Sequence, residues 1–268
     1  MHTSIDELFA GLWQDYVSIT PSAHAIHHLL SEKTGNKVIV NDHIALRTFN
    51  HPKVELGVLA KHFETLGYEA KGEYDFKAKK LNAKHFEHKD LTKPKVFISE
   101  LKVEELSNNA QQVIEKIVLQ ISADATSTDT FLYSGRHWQV SSTEYQNLLE
   151  ESEYAAWLAA WGFRANHFTV SVNHLKNVRN LQEVNQLLKE AGYTLNTAGG
   201  EIKGGRDVCL AQSSTMADKA SVDFSDQSLD IPSCFYEFAE RFPLANGEIY
   251  QGFVAASADK IFESTHTS

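Results

Sequence analysis

The stretch DHIALRTF (residues 42–49) sets bulky and β-branched residues against polar ones at alternate positions, the pattern of a strand over 43–49. Such alternation puts His43, Ala45 and Arg47 on one face, while Ile44, Leu46 and Phe49 include the apolar outer positions. NHFTVSVN (166–173) has the same layout, with His167, Thr169, Ser171 and Asn173 opposing Phe168, Val170 and Val172. Each strand therefore has one side suited to packing under helices and one polar side where a core is expected. A polar inner face is what a curved sheet around a buried site needs.

The elements C-terminal to each of these strands also recur. After the first strand, the sequence predicts a helix over 53–66 stopped at Gly67, short strands near 68–74 and 84–89, and KVFISEL at 95–101. After the second, it predicts a helix in VRNLQEVNQLLKEAGY ending at Gly192, short strands near 207–211 and 220–224, and CFYEFAER at 234–241. GGEIKGG (199–205) and SDQS (225–228) read as loops between them. His43 precedes Gly67 by 24 residues, His167 precedes Gly192 by 25, and LGYEAKG answers AGYTLNT at the same point. Two divergent βαβββ copies account for this. The expected architecture is a single α+β domain over 1–268, whose modules (40–102 and 163–242) form a curved, partly closed sheet. Residues 103–162 read as a helical insert, with helices over about 103–121 and 143–161, and 243–268 as a segment closing the pocket. A further helix is expected over 4–31, begun by a capping box of Ser4 and Glu7. Trp157 and Trp161, spaced i,i+4, read as core.

Composition narrows the function. With 268 residues, 42% of them hydrophobic, the chain can bury a sizeable core. It contains no apolar run near the ~20 residues a membrane span needs. A net charge of -10 argues against a general nucleic-acid binder, because phosphate binding needs a basic field. Cys209 and Cys234 form neither a CxxC pair nor a disulfide framework, and the acidic N-terminus lacks an export signal, so a reducing cytoplasm is expected. Thirteen histidines stand out, and most need ordinary explanations.

Strand parity and the repeat select two of them. His43 and His167 hold matching positions in the two copies. Glu237, between Tyr236 and Phe238, faces away from two bulky aromatics, a costly place for a carboxylate without a cation or hydrogen bonds. Two imidazoles and one carboxylate make a facial triad that leaves positions open on a divalent metal such as Fe(II). The competing reading is two satisfied core histidines and a surface glutamate. Arg47, four residues and about 13 Å along the strand from His43, can reach back to hold a carboxylate. Alternatively, it pairs with an acidic loop. Glu100, in FISEL (97–101), is read as the first copy's counterpart of Glu237; a fourth ligand or a remnant of the duplication are open readings, and the favoured one is a catalytic group that supports the ligands or lines the pocket.

DHIALRTF, NHFTVSVN and FYEFAER together resemble the 2-oxoadipate dioxygenase/decarboxylase family of the vicinal oxygen chelate superfamily. FYEFAER also looks like the closing iron-ligand strand of 4-hydroxyphenylpyruvate dioxygenases, and FVAASADKIFEST (253–265) is similar to the family's closing segment. The resemblance implies that His43, His167 and Glu237 bind Fe(II), with Zn, Mn or Ni as possible substitutes. It implies that Arg47 grips the far carboxylate of the substrate, with Ala256 and Ser257 beside it. Ala256 stands where the family has valine, and Asp259-Lys260 replace Ala-Gly. The implied reaction converts 2-oxoadipate and O₂ into 2-hydroxyglutarate and CO₂. The same fold also hosts metal-dependent isomerases, lyases and hydrolases that do not use O₂, and proteins that only bind small molecules.

Overall fold

In the computed structural model, which describes residues 1–265, the first copy runs β1 (Asn41–Phe49), α3 (Leu56–Glu64), β2 (Tyr68–Phe76), β3 (Leu81–His88) and β4 (Lys95–Leu101). The second runs β5 (Ala165–Ser171), α7 (Leu181–Glu190), β6 (Lys203–Gly205), β7 (Leu210–Ser214) and β10 (Phe235–Arg241). Their strands join in one eight-stranded sheet of order β2-β3-β4-β1-β5-β10-β7-β6, which reads alike from either edge. In both halves the first strand pairs parallel with the last, and β1 and β5 meet antiparallel at the centre.

The second module departs from the expected strands in two places. The strand expected near 220–224 forms, but as β8 (Lys219–Asp223) paired with β9 (Ser228–Pro232) in a separate hairpin. The strand expected near 207–211 begins later, because Arg206–Val208 is a 3₁₀ turn and β7 starts at Leu210. Its partner at the sheet edge is the brief β6, which falls in the GGEIKGG stretch expected to be loop.

The helical regions divide where local chemistry breaks the ladder. The expected helix over 4–31 is α1 (Ile5–Ile19), capped by Ser4, followed by α2 (Pro21–Thr34). Pro21 has no N–H to continue the first helix and sits at the start of the second. The region 103–121 is a short 3₁₀ turn and then α4 (Asn108–Leu119), which begins at the cap Ser107. The region 143–161 is α5 (Ser142–Glu151) and α6 (Glu153–Trp161), divided at the extended residue Ser152, whose side chain caps α6. Trp157 and Trp161 are buried, and their indole N–H groups donate to the carbonyls of Ser233 and Pro232. A last helix, α8 (Ala255–Ile261), packs against β2, β6 and β7 and so bridges the two edges of the sheet. Among the described residues no helix is long and apolar enough to cross a membrane.

Register corrects the reading of Glu100. His43 pairs with Lys95 and His167 with Phe235, so the counterpart of Glu237 is Phe97, two residues along β4. Glu100 corresponds instead to Glu240. Both do the same job: Glu100 accepts from the N–H of Leu56 and Glu240 from that of Leu181, each at 2.8 Å, at the N-termini of α3 and α7. A carboxylate there satisfies an orphan donor and complements the helix dipole. Glu100 thus lies on the helix-covered face, turned away from the one that carries His43 and Arg47, and it has no part in the polar cluster. Glu100→Ala is expected to cost about 1–2 kcal/mol and lower the melting temperature by a few degrees, with metal stoichiometry unchanged. Thermal unfolding beside metal analysis checks this; loss of bound metal would return Glu100 to the site.

Candidate metal centre

Two bulges build the polar cluster. Between the pairs Asn41–Val170 and His43–Thr169, β1 carries one extra residue, Asp42; between Ala45–His167 and Leu46–Ala165, β5 carries one, Asn166. A bulge turns the extra side chain out of strict alternation. Each extra residue thereby reaches the histidine that comes after it. Asp42 Oδ1 lies 2.8 Å from His43 Nδ1, and Asn166 Oδ1 lies 3.2 Å from His167 Nδ1. Both oxygens only accept, so each keeps the ring proton on Nδ1 and leaves the Nε2 lone pair free.

The free nitrogens converge on Glu237, which pairs across the sheet with Thr169, itself opposite His43. His167 Nε2 is 3.0 Å from Glu237 Oε2, and His43 Nε2 is 3.7 Å from Glu237 Oε1. The three ligand-type atoms lie within 4.8 Å of one another, and all three side chains are buried. Gln212 donates to Glu237 Oε1 at 2.6 Å, and the Thr169 hydroxyl lies 3.1 Å from His43 Nε2. Glu237 Oε2, although close to His167, receives no hydrogen bond. Burial alone would raise the Glu237 carboxyl; the His43 and His167 rings and the Gln212 amide outweigh it and hold it below its ordinary range. Burial lowers His167, favouring the neutral ring that a metal requires. A carboxylate facing two imidazole nitrogens, with its oxygen beside His167 left without a donor, fits a divalent cation. The mixed nitrogen and oxygen donors suit iron or zinc better than magnesium or calcium. The fourth position that the repeat symmetry would supply is Phe97, which has no ligand atom.

A second buried charge supports the first. Arg241 grips Asp42 with two bonds, Nε to Oδ2 at 2.7 Å and Nη2 to Oδ1 at 2.8 Å. Burial pushes the Asp42 carboxyl up, but Arg241 and His43 hold it well below the usual range. The remaining Arg241 nitrogen, Nη1, donates to the carbonyls of Tyr250 and Gly252. That fixes the chain so that Phe253 stands edge-on to His43, with ring centroids 4.7 Å apart. Phe235 stacks on His167, also at 4.7 Å. Each histidine of the cluster is therefore flanked by an aromatic ring.

Arg47 rises from the same face of β1 and is 3% exposed. Its guanidinium lies among the rings of Trp157, Tyr154 and Phe262, with centroids 4.9, 5.0 and 5.6 Å away. Among the described residues it makes no hydrogen bond or ion pair within 4 Å, and its Nε is buried without a partner. It borders a cavity of about 200 Å³ shared with Lys79, Glu153, Tyr154, Phe262 and Thr265. Among the described residues no carboxylate contacts it within 4 Å, although Glu153, on the wall of the same cavity, attracts it from further off. Ala256 is exposed and Ser257 buried on α8, and neither is hydrogen-bonded to Arg47; the residue of this segment that meets Arg47 is Phe262. Asp42, Gln212, Arg241 and the aromatic wall of Arg47 escaped the sequence reading. Asp42 was hidden by the bulge, since strict alternation turns it away from His43.

The sequence profile of the 2-oxoadipate dioxygenase/decarboxylase family matches residues 14–249. The chloroplastic/amyloplastic 2-oxoadipate dioxygenase/decarboxylase of Oryza sativa subsp. japonica is 35% identical over 275 residues, covering 93% of this chain and 75% of the relative. The crystal structure of the Oryza sativa hydroxyglutarate synthase in complex with 2-oxoadipate superimposes with a TM-score of 0.88 at 34% identity, over 97% of this chain and 91% of that one. A Shewanella frigidimarina crystal structure, provisionally named a hydrolase, gives a TM-score of 0.91 at 58% identity, over 96% of this chain and 100% of that one. A glyoxalase-superfamily protein from Ralstonia eutropha, 21% identical with a TM-score of 0.69, shares the paired-module fold of the vicinal oxygen chelate proteins.

Asp42→Asn should keep the bond to His43 but leave Arg241 buried without its counter-ion. The expected result is about 10- to 100-fold weaker metal binding together with a loss of roughly 3–5 kcal/mol of stability. Metal titration and denaturant unfolding measure the two effects, and unchanged metal affinity would remove Asp42 from the support of His43.

Proposed function

The chain belongs to the 2-oxoadipate dioxygenase/decarboxylase family, and from that premise we propose that it is a non-haem Fe(II) dioxygenase/decarboxylase acting on a 2-oxo dicarboxylic acid. The proposed reaction is 2-oxoadipate plus O₂ to 2-hydroxyglutarate plus CO₂, in which both atoms of O₂ end in the products. The observation that carries this reading is the combination of a buried His43-His167-Glu237 cluster with a buried Arg47, contacted by no carboxylate among the described residues, on the same strand face.

His43, His167 and Glu237 are proposed as the ligands, and the iron they hold would supply the oxygen chemistry and a Lewis-acidic anchor for the 2-oxo acid end. The chain's own groups supply the rest. Arg47 binds the distal carboxylate, and its loss of hydration makes an anionic partner strongly favoured over a neutral one. Trp157 and Tyr154 fix the plane of the guanidinium, so the carboxylate is oriented as well as attracted. Tyr154 is itself held, with its hydroxyl donating to the Ser99 carbonyl at 2.7 Å. Phe235 and Phe253 keep bulk water from the histidine rings. Asp42 and Asn166 hold the imidazole protons away from the cluster.

The segment from α8 onward is proposed to close the pocket, as the family resemblance implies for Ala256 and Ser257. Phe262 over Arg47 and the 2.6 Å ion pair of Glu263 with Lys79 support that role. Residues 266–268 of this segment lie outside the described residues.

Protein given Fe(II) without air and then exposed to O₂ with 2-oxoadipate should consume O₂ and release CO₂ in equal amounts, leaving 2-hydroxyglutarate. His167→Ala should lose both metal retention and turnover. If the wild type consumes no oxygen and leaves the acid unchanged, the dioxygenase reading fails.

A further inference from the structure

Arg47 stands on the first module, yet one wall of its cavity is fixed from the second. The 3₁₀ turn Phe262–Thr265 follows α8, and Phe262 and Thr265 both line that cavity. The Phe262 ring centroid lies 5.6 Å from the Arg47 guanidinium carbon, and the ring stands edge-on to Phe76 of β2. A turn this short makes few bonds of its own, so its position has to be set by bonds to other elements.

Ser264 makes those bonds. It is fully buried, and its hydroxyl is used to capacity. The hydroxyl donates to the Ile261 carbonyl at 2.7 Å. With its one proton so committed, it accepts from the Ser214 hydroxyl at 2.8 Å and from Asn196 Nδ2 at 2.9 Å. The Ser264 carbonyl accepts from the N–H of Ala217 at 2.9 Å. Asn196, also buried, gives its other amide proton to the Lys260 carbonyl at 3.0 Å, and its backbone N–H donates to the Ser214 carbonyl at 2.9 Å. Ser214 in turn pairs directly with Glu237 across β7 and β10, so it rises from the face that carries that carboxylate. A buried polar network whose members are satisfied by one another holds a single arrangement. The turn is therefore moored to the second module.

We propose that Ser264 is a positioning residue for recognition of the distal carboxylate of the substrate. Held by Asn196 and Ser214, it keeps Phe262 over Arg47, and the ring keeps water from the guanidinium. A charged contact shielded from water is stronger than the same contact in solvent. The inference rests on the reading of Arg47 as the partner of that carboxylate. It adds that the selectivity of an arginine on β1 is set by a serine of the C-terminal segment, which among the described residues bonds neither to Arg47 nor to the His43-His167-Glu237 cluster.

The test is oxygen-free binding of 2-oxoadipate, and of 2-oxohexanoate as the analogue without a distal carboxylate, to metal-loaded wild type, Ser264→Ala, Phe262→Ala and the double variant. Ser264→Ala should cut the preference for the dicarboxylate by about fivefold or more, while affinity for 2-oxohexanoate changes by less than about twofold. Metal stoichiometry should not change. Phe262→Ala, which removes the ring and keeps the anchor, should cut the preference at least as far. The double variant should lose no more than Phe262→Ala alone, because Ser264 acts through that ring. Ser264→Cys, which keeps the volume and weakens the bonds, replaces Ser264→Ala if the latter does not fold. Equal affinity of wild type for the two acids would overturn the reading of Arg47 and this inference with it. A wild-type preference that survives in Ser264→Ala or in Phe262→Ala would overturn the inference alone. So would loss of metal in Ser264→Ala, or a double variant that loses clearly more than Phe262→Ala.

Discussion

A single buried carboxylate ties the site together. Asp42 accepts from His43 on one side and from Arg241 on the other, so it joins β1 to β10 across the width of β5. Such a group is stable inside only because its charge is matched and its oxygens are engaged. Arg241 extends the connection to the carbonyls of Tyr250 and Gly252 and so determines where Phe253 stands over His43. The orientation of one proposed ligand, the closing strand of the second module and the chain leading to α8 therefore all depend on the same residue.

Comparing the two halves separates frame from chemistry. Glu100 and Glu240 repeat one structural task at the N-termini of α3 and α7. His43 and His167 repeat a second, each preceded by a bulged residue that holds its Nδ1. The halves differ where the site needs asymmetry. Asp42 is matched by the neutral Asn166, Glu237 by Phe97, and Arg47 by Ser171. One half thus lacks a carboxylate ligand and carries the buried arginine, and the other supplies the carboxylate.

Much of this was legible in the sequence because strand parity and repeat register are local patterns. His43, Ala45 and Arg47 share a face as alternation requires, and the three proposed ligands come together. The exceptions lie where the pattern breaks. The bulge at Asp42 reverses the direction that alternation assigns to it, and no composition signal marks a bulge. Likeness between short strings matches Glu100 to Glu237, whereas pairing with β1 and β5 shifts the correspondence to Phe97. The helices over 4–31 and 143–161 divide at Thr20-Pro21 and Ser152, where a missing donor or a capping side chain outweighs the helical period. Trp157 reads as core from its spacing and is core, but it also walls Arg47, a role that only tertiary contact reveals.

The proposal holds the substrate at two points, by a metal at one end and by Arg47 at the other. The most direct measurement is oxygen-free binding of 2-oxoadipate and 2-oxohexanoate, which differ in the distal carboxylate, to metal-loaded wild type and Arg47→Met. Wild type should prefer the dicarboxylate by at least about tenfold, the scale of one charged hydrogen-bonded contact, and Arg47→Met should show no preference. Equal affinity of wild type for both acids, or a preference that survives in Arg47→Met, would contradict two-point recognition.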